Sequence, residues 1–148
     1  MNKYLIFFFA MLVAASSLVL TSCSSDDDET GDGTNYSEMI VGSWTNRITV
    51  DDEYYTEDYT RFYADGTYKE VDITVVYGMT DKTTCTGTWS ISGNKITTHV
   101  NDGISGLDTA TSTITKMTAT EMVISEAGVD LKYTKVADSV FEKYYNQK

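Results

Sequence analysis

From Tyr36 onward the chain is organised as short runs in which apolar and polar residues alternate, broken by Gly, Asn and Asp at intervals of about 8 to 15 residues. Alternation sends successive side chains to opposite faces of a strand, and the breaks supply turns, so the pattern is that of a hairpin-built sandwich or barrel. Proline is absent and no long helical periodicity occurs. Eight strands are predicted, at about 43–50, 54–63, 67–77, 84–91, a fifth ending near Val100, then 108–115, 121–125 and 129–136. Ala64-Asp65-Gly66 suits a three-residue hairpin with Gly66 in the left-handed conformation, a register that sets Phe62 opposite Tyr68. Gly93-Asn94 likewise sets Ile91 opposite Ile96 and Trp89 opposite Thr98. Trp44, Asn46, Ile48 and Val50 share one face of the first strand, and Cys85, Gly87, Trp89 and Ile91 share one face of the fourth. The third strand is inconsistent. Beyond Tyr68 its apolar positions move to Val71, Ile73 and Val75, which requires a bulge near Lys69 or a partly polar interior. Asn101 to Gly106 read as a loop. In the tail, Ser139 and Glu142 have capping-box spacing, but a helix of about two turns needs packing by Val140, Phe141 or Tyr144.

The first residues carry a different pattern. Lys3 precedes a nearly unbroken apolar run from Tyr4 to Leu20, closed by Leu20-Thr21-Ser22-Cys23, which together make a three-part secretory signal. An uncleaved membrane-spanning helix is the alternative, since the run approaches the roughly 20 residues a span needs. The closing tetrapeptide resembles the lipobox of bacterial lipoproteins. That resemblance implies a diacylglyceryl group on Cys23, cleavage before it and acylation of the new amine, and several acyl chains hold a protein on a bilayer. Ser24 to Asn35, with Asp26, Asp27, Asp28, Glu29 and Asp32, cannot bury apolar area and reads as a solvated tether. It resembles the acidic surface-export signal of lipoproteins in one group of Gram-negative gut bacteria, which implies an outward-facing place on the outer membrane; a plain periplasmic spacer has the same composition. The expected organisation is a signal peptide at 1–22, lipidated Cys and tether at 23–35, a β domain at 36–136 and a tail at 137–148.

Charge narrows the partners. The formal charge of −11, without clustered Lys or Arg, argues against nucleic acid. With Cys23 lipidated, Cys85 is left a free thiol, and with only Lys82 near it in sequence it reads as buried and inert. His99, the one histidine, should point outward from a strand whose Ile96, Thr98 and Val100 point in, and it lacks partners for a triad or a transition-metal site. No phosphate-binding glycine loop occurs. Asp51, Asp52, Glu53, Glu57 and Asp58 lack the spacing of a calcium loop and read as a solvated turn. No pair of carboxylates stands out for glycoside hydrolysis. No catalytic residue, metal or cofactor is therefore expected. Tyr54, Tyr55, Tyr59, Tyr63, Tyr68 and Tyr77 divide by alternation between an inner lining and an outer aromatic surface.

Four segments in order resemble the lipocalin-like domains of bacterial lipoproteins over about Glu38 to Val136: Gly42-Ser43-Trp44, Phe62 before Asp65-Gly66-Thr67-Tyr68, Gly87-Thr88-Trp89-Ser90-Ile91, and Lys116-Met117-Thr118-Ala119-Thr120-Glu121-Met122. The resemblance implies an all-β, eight-stranded antiparallel up-and-down barrel with Trp44 packed across one end and a short C-terminal helical tail. A barrel of this size holds one small ligand or fills with its own side chains, and short strands with inward Trp and Tyr favour filling. Trp44, Phe62, Tyr68, Trp89 and Tyr133 are the candidate ligand-lining residues. The leading expectation is a membrane-anchored module that binds a small apolar or amphipathic molecule. The second is a non-enzymatic subunit docking other surface proteins through an exposed outer patch centred on Tyr55, Tyr59 and Tyr63.

Overall fold

A computed structural model of the chain describes residues 35–101 and 108–147. The expected signal segment, Leu20, Thr21, Ser22 and Cys23, the acidic tether and most of the predicted 101–106 loop lie outside the described residues. The alternating runs form eight antiparallel strands: β1 (Gly42–Asp51), β2 (Tyr54–Phe62), β3 (Thr67–Val76), β4 (Met79–Ser92), β5 (Lys95–Val100), β6 (Asp108–Met117), β7 (Glu121–Glu126) and β8 (Val129–Val136). Each pairs with its sequence neighbour and β8 returns to β1, closing the barrel. Closure chooses the barrel over the sandwich and leaves no sheet edge along the paired length. A four-residue helix, α1 (Tyr36–Met39), precedes the barrel, and α2 (Asp138–Asn146) follows it.

Turn chemistry fixes the registers. Phe62 pairs with Tyr68 and Gly66 takes φ 83°, as the three-residue hairpin requires. Ile91 pairs with Ile96 and Trp89 with Thr98 across Gly93-Asn94. The fourth strand begins earlier than its predicted start near Thr84: Met79 pairs with Val76 across a two-residue turn in which Tyr77 and Gly78 both have positive φ. Such a mirror-image turn usually begins with Asn, Asp or Gly, and the tyrosine there hid it. The parity change in β3 is not a bulge, because its pairing with β2 runs unbroken from Thr67's neighbour Tyr68 to Val76. Instead Tyr68 and Glu70 face the lumen, with Asp72 on the same side, and Val71 and Ile73 face outward.

Two apolar cores result. Inside, Trp44, Phe62, Tyr68, Ile96, Ile114 and Met122 pack with Ile40 and fill one end of the barrel. The Trp44 indole Nε1 donates to the Ile40 carbonyl at 2.7 Å, and that of Trp89 to the carbonyls of Tyr63 and Thr67 at 3.1 and 3.0 Å, so the buried Trp44 and the half-buried Trp89 both have their polar atoms satisfied. Outside, α2 lies on β2 and β3, where Phe141 closes over Tyr59 and Val71. Tyr144 stacks on Tyr59 with centroids 4.3 Å apart. Arg61 holds the helix from below, donating to Asp138 at 2.8 Å and to Glu142 at 2.7 Å. The capping box does not form. Ala137 occupies the N-cap without a side-chain bond, because Asp138 is engaged by Ser43 and Arg61 and Glu142 by Arg61.

The centre of the predicted external tyrosine patch is therefore covered rather than exposed: Tyr59 keeps 7% of its surface. Exposed apolar side chains gather instead at the other end of the barrel, where Ile48, Val50, Tyr77, Met79 and Val129 lie on or beside the β1–β2, β3–β4 and β7–β8 turns. At that end β1 and β8 part company. Their ladder covers only Ser43, Thr45 and Trp44 against Val136, Thr134 and Lys135, after which the Asn46 amide donates to the Lys132 carbonyl at 2.6 Å.

Candidate functional site in the barrel lumen

Strand registers lay the lumen out in rows. Phe62 and Tyr68 face each other in the row nearest the filled end, with Gly87 beside Tyr68. The next row runs Trp44, Thr60, Glu70 and Cys85, and the next Asn46, Asp58 and Asp72. A cavity of about 250 Å³ remains between these rows and the opposite wall. Phe62, Tyr68, Ile96 and Met122 form its apolar floor, Asp58, Thr60 and Glu70 one polar wall, and Ile124, Glu126 and Tyr133 the facing side. The barrel is thus plugged at one end and hollow in its remainder.

Three carboxyl groups define the polar wall. Asp58, Glu70 and Asp72 can bring one oxygen each within 4.8 Å of the others. Asp58 accepts from Thr60 Oγ1 at 3.0 Å and from the Tyr133 hydroxyl at 3.2 Å. Burial, reinforced by the Asp72 charge, pushes the Asp58 carboxyl up to about 7. Burial and then the charges of Asp58 and Asp72 push Glu70 well above the carboxylate range, and burial raises Asp72. Among the described residues, no Lys, Arg or His lines the cavity. The wall is a set of like charges crowded in a poorly solvated space, where protons or a cation are the available means of relief.

The neighbouring groups are held in their neutral forms. Burial and then the Glu70 charge push the Cys85 thiol up to about 12, so it is a thiol rather than a nucleophilic thiolate at neutral pH. Burial, with the Asp58 charge next, raises the Tyr133 phenol far above its ordinary value, so it remains a donor to Asp58.

Of the five candidate ligand-lining residues, Phe62, Tyr68 and Tyr133 meet around the cavity. Trp44 and Trp89 do not; they close the filled end. Asp58 departs from the solvated acidic turn in which the sequence set it. Asp51 caps that turn, accepting from the backbone N–H groups of Glu53 and Tyr54, Glu57 pairs outside with Arg47 at 2.9 Å, and Asp58 alone turns inward. A usable signal existed, since an inward Phe62 carries Thr60 and Asp58 inward by parity and an inward Tyr68 carries Glu70 and Asp72. His99 faces out, its Nδ1 2.8 Å from Thr109 Oγ1, beside a shallow groove on the outer wall that includes Lys69 and Thr86.

No protein-family model and no curated protein matches the chain. Among solved structures it is similar to a lipocalin-like protein from Bacteroides uniformis, at 15% identity and a TM-score of 0.47 over 66% of this chain and 99% of that one. It is also similar to an uncharacterized protein from Bacteroides eggerthii, at 12% identity and a TM-score of 0.45 over the same shares of the two chains, 66% and 99%.

Proposed function

We propose that this protein is a lipid-anchored outer-membrane lipoprotein whose barrel holds a small amphipathic molecule in its lumen and works by binding rather than catalysis. The observation that carries the reading is the cavity of about 250 Å³, which has an apolar floor and a polar wall around one space. Its size lies just below the about 300–1,000 Å³ of sites for drug-sized molecules, which sets a compact ligand. The lining supports binding over chemistry: the thiol is held protonated, and no histidine stands near the carboxyl groups. Native mass spectrometry of gently purified protein, followed by a thermal-shift screen of neutral, cationic and anionic amphiphiles, tests this. A copurified small molecule or a shift that Tyr68→Ala abolishes is expected; no adduct and no shift for any class would sink the reading.

Leu20-Thr21-Ser22-Cys23 and the acidic residues after it support the anchor and the outward orientation. Metabolic labelling with a fatty-acid analogue is expected to mark the wild type and not Cys23→Ala, and protease added to intact cells is expected to shave the domain. Unchanged labelling of Cys23→Ala would remove the anchor from the proposal, and full protection from protease would turn the protein inward.

A further inference from the structure

We propose that the seam between β1 and β8, where the two strands part, is a docking site for an extended basic segment of a partner protein. The segment adds as a short strand to the free edge of β1 and lays its apolar side chains on Ile48, Val129 and Leu131. The proposal is independent of what the lumen holds.

The backbone supplies the first argument. The β1–β8 ladder stops at Thr45 and Thr134, although β1 continues to Asp51 and β8 begins at Val129. Beyond that point, among the described residues, β1 pairs only with β2 and β8 only with β7. Backbone N–H and C=O groups alternate in direction along an antiparallel strand, so every second residue of the stretch aims its donor and acceptor into the seam. The first open row is spanned by a side chain: the Asn46 amide reaches the Lys132 carbonyl at 2.6 Å. The lips there stand a side chain's reach apart instead of at ladder distance. An unpaired strand edge is a template for a strand from another chain. The bulge between Thr49 and Asp51 confines the added ladder to Asn46–Thr49, so side chains must supply much of the affinity.

The side chains along the seam are suited to that. Asn46 pairs with Asp58, which lines the cavity, and Ile48 follows on the same face by alternation. Across the seam, Val129 pairs with Glu126 and Leu131 with Ile124, and both partners line the cavity. Ile48 and Val129 therefore stand on facing lips and on one side of the wall, yet they keep 45% and 60% of their surface exposed, and Val50 at the bulge keeps 64%. Apolar side chains grouped along an unpaired edge mark an interaction surface.

Charge selects the occupant. The bases of the seam are already engaged, Arg47 with Glu57 at 2.9 Å and Lys132 with Glu121 at 2.6 Å. Asp51, Asp52 and Glu53 at the β1–β2 turn, and Glu126 and Asp130 beside the β7–β8 turn, form no ion pair among the described residues. The charge left over around the seam is negative, which complements a segment carrying Lys or Arg. A second copy of this chain would bring the same excess of acids to the contact.

Hydrogen-exchange mass spectrometry of the full-length protein, titrated with three nine-residue peptides, tests this. The probes are Lys-Val-Thr-Val-Lys-Val-Thr-Val-Lys, its twin with every Lys replaced by Glu, and its twin with both Thr replaced by Pro, which cannot donate to a ladder. The basic peptide is expected to slow exchange across 46–49 and to bind at least tenfold more tightly than either twin, with an affinity that falls as salt is raised. Ile48→Lys and Val129→Lys, both at exposed positions, are expected to weaken it at least tenfold at unchanged Tm, while Lys95→Ala, beside the β4–β5 turn, leaves it unaltered. Equal binding of the acidic twin would overturn the basic partner, and equal binding of the proline twin would overturn strand addition. Protection of 46–49 without peptide, in step with a concentration-dependent dimer in sedimentation, would overturn the foreign segment in favour of a second copy. No protection of 46–49 by any of the three peptides at millimolar concentration would overturn the docking site itself.

Discussion

At the residue scale, Gly87 shows how tightly the lumen wall is set. A Cβ there would lie 2.6 Å from Tyr68 Cε1 and 2.1 Å from the His99 carbonyl oxygen, the second of which is backbone and cannot swing away. Gly87→Ala is expected to cost about 1–3 kcal/mol by overpacking. Urea titration reads this as a lower midpoint at unchanged slope; an unchanged midpoint would mean that the His99 backbone is not held this close to Gly87. The lumenal carboxyl groups set the pH dependence. Asp58 has a folded pKa raised from 3.8 to about 7, so the folded state holds a proton that the unfolded state releases. The stability this contributes is complete below the ordinary carboxylate value and is lost as pH rises to about 7. Raised Glu70 and Asp72 act in the same direction. Glu121, lowered to about 2 by its bonds to Lys116 and then Lys132, titrates below that window and does not obscure it. Thermal melts are expected to give a higher Tm at pH 5 than at pH 8, and Asp58→Asn to narrow the gap by raising the Tm at pH 8 by several degrees, about 1 kcal/mol. A profile flat between the two pH values would refute the crowding of charge in the lumen.

At the scale of the element, α2 is a helix that exists because of what lies under it. Nine residues with no side-chain N-cap are too few to persist alone in water. Phe141 is completely buried over Tyr59 and Val71, Arg61 grips Asp138 and Glu142 one turn apart, and Lys82 Nζ donates to the carbonyls of Tyr145 and Gln147 where the helix ends. Phe141→Ala is expected to cost about 3–5 kcal/mol, the range for deleting a buried phenylalanine. Arg61→Ala removes only half-exposed pairs, and is expected to leave the barrel folded while amide exchange across 138–146 accelerates. Exchange unchanged from wild type would mean that apolar packing alone holds the helix. The sequence shows Val140, Phe141 and Tyr144 as the residues such a helix must bury, but not the surface they bury against. Ser139 and Glu142 have the spacing of a capping box, and the pull of Arg61 on Glu142, a contact 81 residues away in sequence, overrides it.

At the scale of the whole molecule, the division of labour between the two ends follows from where the large side chains fall. Trp89, Phe62 and Tyr68, with Trp44 in the adjoining row, fill one end; Thr60 and Glu70 share the Trp44 row, Asp58 and Asp72 lie in the row beyond, and a cavity stays open beside them. Alternation and turn residues were enough to number the strands, to pair Phe62 with Tyr68 and Ile91 with Ile96, and to bring Phe62, Tyr68 and Tyr133 into one list of lining residues, because period-2 patterning and hairpin geometry are local properties. What alternation does not state is which face of β3 meets the lumen. Val71 and Ile73 look like the core side by hydrophobicity, yet they face outward because α2 provides a second apolar destination there, and that places Glu70 and Asp72 inside. Asp58 follows the same logic on β2, and lies beside Asp72 only through the β2–β3 register. The sequence by itself determined the number of strands and the hairpins at Gly66 and Gly93; only the closed barrel with its docked helix decided the inward face, and with it the carboxyl wall, since that choice depends on burying two apolar surfaces at once.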